Sequence, residues 1–253
     1  MTSIVPLAND KHANLKVVES GDYSRYRGQN LIPVVMKDFF TLAAEFPLVF
    51  VTQDKPDEFV PVAIMGLRTG QNLYCEGDQW PAQVIPVSFG NAPFNITRAD
   101  PEGEQFVVLV DEDSPLLSET EGNAIFTEDG TRTEYMEKRI EHLVEVTQQA
   151  VLTQNVCRQF RDQNLLVSHQ VQLQHRPDGT RFNIDGIHII NEQALNDLSD
   201  DDFLTLRKQG LLPLIYAHLS SLQQLRRISQ LQYEADQAAK ADKAEEQKEQ
   251  EEQ

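Results

Sequence analysis

Residues 106–115 read FVVLVDEDSP, in which five apolar residues run straight into three carboxylates, a serine and a proline. An apolar run of this length next to turn-forming residues predicts a buried strand that ends at Asp111. Negative charge at the end of a strand is typical of catalytic and metal sites, and it is also typical of solvated turns. Asp111, Asp113 and Ser114 therefore form the first candidate functional turn.

Apolar patterning around this strand predicts an α+β fold built on a mostly antiparallel sheet with packed helices. Residues 48–51 and 59–67 are rich in Val, Ile and Phe, which predicts two strands. We expect residues 71–74 and 106–110 to extend the same sheet. A short cluster at residues 15–18 predicts one edge strand near the N-terminus.

A hairpin is predicted in the second half of the chain. Residues 165–175 alternate apolar and polar side chains, and a Pro-Asp-Gly turn separates them from residues 181–190. On the second arm the apolar positions change from even to odd numbers across Gly186. This is the phase shift that a β-bulge produces, so we expect the register to shift at Gly186.

Helical spacing predicts several helices, of which the last is long. Apolar residues recur every three or four positions in residues 34–46. Thr131 and Glu134 form a capping box, which predicts a helix that extends to about residue 160. A long C-terminal helix begins near Leu211.

Length and charge limit the class of protein. The 253 residues carry 22 basic and 40 acidic side chains, a formal net charge of −18. This charge argues against nucleic-acid binding, because phosphate contacts need clustered Lys and Arg. The apolar content of 40% is enough for a sizeable core. We expect one domain over residues 1–233 and a charged tail, frayed or disordered, over residues 234–253.

Location and redox state are also constrained by the sequence. Residues 1–15 lack the basic and apolar regions of a secretory signal, and no apolar run is long enough to cross a bilayer. We therefore expect a cytoplasmic protein without membrane insertion, and non-classical export to the cell surface is the alternative. Cys75 and Cys157 have no paired spacing of the kind that binds zinc, and we expect both to be reduced and structural.

The carboxylates at 111–113 have three interpretations. Asp111-x-Asp113 resembles a phosphatase pattern in which one aspartate attacks phosphorus and the other transfers protons beside a magnesium ion. However, Pro115 replaces the usual Thr or Val, and no later strand ends in paired aspartates. The same two aspartates could hold a divalent ion beside a sugar nucleotide. That site would need a basic or glycine-rich segment to bind the diphosphate, and none follows in the sequence. A turn in which Asp113 or Ser114 accepts backbone N–H groups is favoured.

Histidines on the predicted hairpin are a second candidate site. His169 and His175 share a face of one arm, and Asp185 and His188 lie on the other, so a metal site of two histidines and one carboxylate can be drawn. Gly186 shifts the face between Asp185 and His188. The favoured interpretation is therefore surface or edge histidines.

A third set, Trp80, Tyr216 and His218, is a candidate pocket. Trp80 is the single tryptophan and lies among prolines, and a core position is favoured over a pocket wall. His218 lies on the apolar stripe of the last helix, which favours a buried, hydrogen-bonded histidine. The sequence contains no nucleophile elbow and no phosphate-binding loop, and it predicts no cofactor.

Four segments, in this order and spacing, resemble the SapC family of bacterial proteins. They are Phe46-Pro47-Leu48-Val49-Phe50, the run from Asn72 to Trp80, the run from Val110 to Phe126, and Gly210 to Leu225, which contains Ile215-Tyr216-Ala217-His218-Leu219-Ser220-Ser221-Leu222. The resemblance covers nearly all of the chain apart from the charged tail.

The family name comes from a surface-layer locus, and the resemblance brings no established catalytic residues. It implies association with a bacterial cell-surface array or an uptake system. We therefore expect a non-enzymatic accessory or binding protein with a protein partner. The alternatives are a subunit of the surface array and a divalent-metal-dependent enzyme that uses Asp111 and Asp113 or the hairpin histidines.

Overall fold

The structure is a computed structural model that describes residues 3–53, 57–75, 80–99 and 105–251. Its strands, in chain order, are β1 Ile4–Pro6, β2 Lys16–Val17, β3 Leu31–Pro33, β4 Leu48–Thr52, β5 Phe59–Ile64, β6 Phe94–Arg98, β7 Phe106–Asp111, β8 Leu117–Ser118, β9 Asn123–Ala124, β10 Leu166–Leu173 and β11 Phe182–Ile190. Its α-helices are α1 Asn9–His12, α2 Phe39–Ala43, α3 Glu134–Asp162, α4 Glu192–Asn196, α5 Asp200–Lys208, α6 Leu211–Ser221 and α7 Leu225–Glu251. The strands pair antiparallel, so the prediction of an α+β fold with a long C-terminal helix is confirmed.

The chain divides into two compact units. Met1–Asp22 with Pro86–Leu152 forms unit 1, and Tyr23–Ile85 with Thr153–Gln253 forms unit 2. The boundary between them falls inside α3. A single domain over residues 1–233 stays a prediction.

The described part of unit 1 contains two three-stranded sheets, with the strand orders β1-β7-β6 and β8-β2-β9. Val17, Val110, Ile125 and Met136 lie in its core, where each is almost completely buried. Two predictions were wrong. β7 does not extend the sheet of β4 and β5, because both of its edges are paired in unit 1, and β2 is the middle strand of its sheet rather than an edge.

The residues of unit 2 that the structure describes form a five-stranded sheet with the order β10-β11-β4-β5-β3. The predicted strands β4 and β5 and the hairpin of β10 and β11 are confirmed. The register shifts between His169 and Val171, opposite Gly186, whose φ is +71°. The expected bulge is therefore present, and glycine supplies the left-handed backbone that it needs.

The predicted strand at residues 71–74 was wrong, because a side chain satisfies the backbone there. Asn72 Oδ1 accepts a hydrogen bond from the Tyr74 backbone N–H at 3.0 Å, and Asn72 Nδ2 donates to the Tyr26 carbonyl at 3.3 Å. Asparagine commonly competes with strand pairing in this way, and the segment forms a turn.

Two helix predictions needed local correction. The helix expected over residues 34–46 is shorter, with a single 3-10 turn at Met36–Asp38 before α2. The N-terminus of α3 is capped by Thr133, whose Oγ1 accepts from the Met136 N–H at 3.2 Å. The Thr131 hydroxyl instead donates to Asp129 Oδ1 at 2.9 Å. The capping residue is therefore Thr133, two positions later than predicted.

The C-terminal helices follow one another closely. Gly210, with φ +73°, ends α5 and precedes α6, and a 3-10 turn at Leu222–Gln224 connects α6 to α7. The described part of the predicted tail, residues 234–251, is helical. None of the described helices has the length and apolarity of a membrane span.

Candidate functional site

The carboxylate turn after β7 is held by backbone hydrogen bonds. Asp113 Oδ2 accepts from the Ser3 backbone N–H at 3.0 Å, which ties the turn to the start of β1. Asp111 Oδ1 accepts from the Asp113 N–H, and Ser114 Oγ accepts from the Leu116 N–H, each at 3.3 Å. The three candidate side chains thus accept backbone N–H groups within and beside one turn.

A glutamate–histidine pair lies beside this turn, and sequence reasoning did not find it. His12 is 2% exposed, and its Nδ1 accepts from the Ala8 N–H at 3.0 Å. Nε2 therefore carries the proton and donates to Glu112 Oε1 at 3.2 Å. Ser3 Oγ donates to Glu112 Oε2 at 3.1 Å. Hydrogen bonds from His12 and then Ser3 lower the pKa of Glu112.

The bonding order in this group differs from that of a nucleophilic triad. In such a triad the serine donates to the imidazole, which acts as the base. Here Ser3 and His12 both donate to Glu112, and the other nitrogen of His12 is bonded to the backbone. The pair connects α1 to the end of β7 across 100 positions of sequence, which explains why no local motif indicated it.

The hairpin histidines do not come together. His169 pairs with Ile187 and His188 pairs with Ser168, so the two histidines are on neighbouring cross-strand pairs and face opposite sides of the hairpin. His175 lies beyond the end of β10 and packs on Tyr233, with 5.5 Å between ring centroids. Among the described residues, no group of three or more His, Cys, Asp and Glu side chains could hold a metal ion.

His218 and Ser221 of α6 lie at the end of the β4–β11 ladder. β11 pairs with β4 at two positions, Ile187 with Val51 and His188 with Phe50. The next hydrogen-bonding positions are Ile190 and Leu48, but their N–H groups bond to side chains instead. Ile190 N donates to His218 Nε2 at 3.1 Å, and Leu48 N donates to Ser221 Oγ at 3.0 Å. We call this arrangement the ladder plug.

The electrostatics of the ladder plug follow from burial. His218 is fully buried and packs on Phe50, with 5.1 Å between ring centroids. Burial lowers the pKa of His218 to about 4, and the Leu48 backbone opposes this shift. The imidazole is therefore neutral at physiological pH, with its proton on Nδ1 because Nε2 is an acceptor.

The three candidate pocket residues lie in different environments. His218 is in the ladder plug, whereas Tyr216 is 52% exposed. Trp80 packs against Tyr74 and Phe46, at centroid distances of 5.8 and 6.3 Å, and its indole N–H donates to the Val84 carbonyl at 2.8 Å. None of the three lines the cavities described next.

Unit 1 contains an open cavity of about 810 Å³ beside α1 and the turn before α3. Its polar groups bond largely to their own chain. Lys16 Nζ donates to the Thr120 carbonyl at 3.0 Å, and hydrogen bonds from Thr127 and Thr131 lower the pKa of Asp129. Two charged side chains of its polar wall, Lys16 and Asp129, thus already have partners.

Unit 2 contains a groove of about 520 Å³ between the end of β10 and the first turns of α7. We call it the β10–α7 groove, and its lining includes Gln172, Leu173, His175, Arg226, Arg227 and Gln230. None of the carboxylate side chains that the structure describes lines it. Gln172 and Leu173 are consecutive on the outermost strand, so their side chains point to opposite faces and the groove reaches the edge of the sheet.

Comparison with known families identifies the chain. The model of the SapC family matches residues 7–228. The chain belongs to the SapC family. No curated protein and no solved structure gives a significant match. Two of the four segments that carry the family resemblance meet in the ladder plug of this SapC-family protein, since Leu48 bonds to Ser221 and Phe50 packs on His218.

Proposed function

We propose that this SapC-family protein is a non-catalytic accessory protein that binds a protein partner in a bacterial cell-surface or uptake system. The partner adds an extended segment to the open edge of β10. The observation that carries this proposal is the eight-residue strand at the edge of the described five-stranded sheet. Family membership supports the association with surface or uptake systems through the locus for which the family is named.

The backbone of β10 has groups available for such pairing. Asn191 N donates to the Leu165 carbonyl at 2.8 Å, so residues 165, 167 and 169 direct their hydrogen-bonding groups toward β11. Leu166 and Ser168 therefore direct theirs to the opposite side. Five of the eight residues of β10 are exposed, and among the described strands β10 pairs only with β11.

The side chains of β10 also lack the usual protection of an edge strand. Natural sheets block edge pairing with Lys, Pro or very short strands. β10 reads LVSHQVQL, without Lys, Pro or a formally charged side chain, and its one protective feature is the bulge opposite Gly186. An exposed edge with this composition favours pairing with another main chain, which gives affinity while side chains give specificity.

Site-specific photo-crosslinking in the native host tests this function. A benzophenone amino acid replaces Ser168 on β10, and the matched control replaces exposed Asp201 on α5. We expect a discrete covalent adduct with one protein from the Ser168 position and none from Asp201. Absence of an adduct at Ser168, or the same adducts at both positions, would contradict edge binding. An adduct with a protein outside surface and uptake systems would contradict the proposed setting.

A further inference from the structure

The β10–α7 groove carries positive charge in a chain whose formal net charge is −18. Arg226 and Arg227 are exposed along it, and His175 lies at its end. Arg226 has no ion pair or hydrogen bond with any described residue, and the ion pair of Arg227 with Glu45 is long, at 3.8 Å. A guanidinium group offers planar, paired donors that match a carboxylate, and Arg226 has these donors free.

Three nearby carboxylates of the same unit accept hydrogen bonds from other groups, although Glu45 also forms the long ion pair with Arg227. Asp178 Oδ2 accepts from the Tyr233 hydroxyl at 3.1 Å, and Glu234 Oε1 accepts from Gln230 Nε2 at 2.8 Å. Glu45 accepts from the Gln83 backbone N–H at 2.9 Å. Of these acids only Glu45 pairs with a groove arginine, at 3.8 Å from Arg227, so the charge of Arg226 is not paired with any described acid.

We propose that the β10–α7 groove binds an extended acidic segment of the protein partner, and this inference rests on the proposed function. The main chain of the segment pairs with the edge of β10, and its carboxylates lie against Arg226 and Arg227. The glutamines of the groove fit such a ligand, since an amide side chain both donates to and accepts from a peptide backbone. Charge complementarity selects an acidic segment over a neutral or basic one.

The groove geometry favours a peptide over an isolated anion. A small anion would use the arginines alone, whereas the groove is also lined by Gln172 and Leu173 of the outermost strand, whose outer edge carries N–H and C=O groups. Only another main chain complements that row of N–H and C=O groups. The long-range field of a chain with net charge −18 repels acidic ligands, so we expect selective but weak binding of short peptides.

An NMR titration of the full-length, isotope-labelled protein tests the inference. Three capped peptides serve as probes: alternating Thr and Glu, alternating Thr and Gln, and alternating Thr and Lys. We expect the Thr-Glu peptide to shift the amide signals of β10 and the Nε–H signal of Arg226, with at least about tenfold tighter binding than the Thr-Gln peptide. Arg226→Gln should remove this preference, and Arg207→Gln on α5 is the matched control.

Several outcomes would overturn the acidic specificity. These are no binding of the Thr-Glu peptide, equal binding of the Thr-Gln peptide, or an unchanged preference in both Arg226→Gln and Arg227→Gln. The crosslinking experiment separates this inference from the proposed function. If the adduct at Ser168 forms equally in an Arg226→Glu background, edge binding stands and the acidic specificity is wrong. If no adduct forms, both fail.

Discussion

His218→Gln gives the sharpest test of the ladder plug. Glutamine has an acceptor oxygen for the Ile190 N–H but does not titrate, so the variant separates hydrogen bonding from ionisation. In the folded protein burial lowers the pKa of His218 to about 4, from its ordinary value of 6.5. Between pH 4 and pH 6.5, therefore, His218 is mostly protonated in the unfolded chain and mostly neutral in the folded chain.

The sign and size of the effect follow from this difference. The contribution of His218 to stability is fully present above pH 6.5 and is lost as the pH falls toward 4, because protonation favours the unfolded state there. Between pH 7.5 and pH 5 the wild-type protein should lose about 2 kcal/mol of unfolding free energy through this one group. Other titrating groups contribute to both proteins alike and cancel when the two pH profiles are subtracted.

Urea denaturation followed by Trp80 fluorescence measures this quantity. Trp80 is the single tryptophan and lies in unit 2 with His218, so its signal reports the unit that contains the plug. We expect the loss between pH 7.5 and pH 5 to be about 2 kcal/mol greater for the wild type than for His218→Gln. Parallel pH profiles for the two proteins would refute the reasoning, whatever the stability of the variant at pH 7.5.

Three further substitutions test other parts of the structure. Ser221→Ala leaves the buried Leu48 N–H without its acceptor and should cost about 1–3 kcal/mol in urea denaturation, whereas Ser220→Ala, at an exposed position, should cost less than about 0.5 kcal/mol. Gly122→Ala should cost about 1–3 kcal/mol, because φ is +103° and the new Cβ would lie 2.4 Å from a backbone oxygen, whereas Gly21→Ala meets no atom within 4 Å. Asp236→Ala removes the paired hydrogen bonds to Arg68 and should speed amide exchange along α7, and unchanged exchange rates would contradict this anchoring role.

Local sequence patterns predicted those parts of the fold that local interactions determine. The hairpin has period-two alternation and a Pro-Asp-Gly turn, and the shift of phase across Gly186 predicted its bulge. α3 and the C-terminal helices have apolar stripes at helical spacing. These features depend on residues within a few positions of one another, which is the range over which periodicity carries information.

The parts that were missed depend on contacts between distant residues. β7 has a clear strand pattern, but its sheet is decided by pairing with β1, a three-residue strand that contains proline and has no period to detect. Glu112 and His12 lie 100 positions apart, so their pairing left no local motif. The stripe around His218 indicated burial, but it could not indicate that the imidazole accepts from the end of β11.

The ladder plug and the open edge of β10 are built from different parts of the chain. Two segments that carry the family resemblance meet at His218 and Ser221, where they satisfy backbone groups that the β4–β11 ladder leaves unpaired. The edge of β10 lies outside all four segments of that resemblance. The residues of the resemblance that hold the sheet together are therefore not those of the proposed binding edge. Changes along β10 and at Arg226 should therefore affect the proposed partner binding without altering the fold, whereas changes at Ser221 should destabilise the fold.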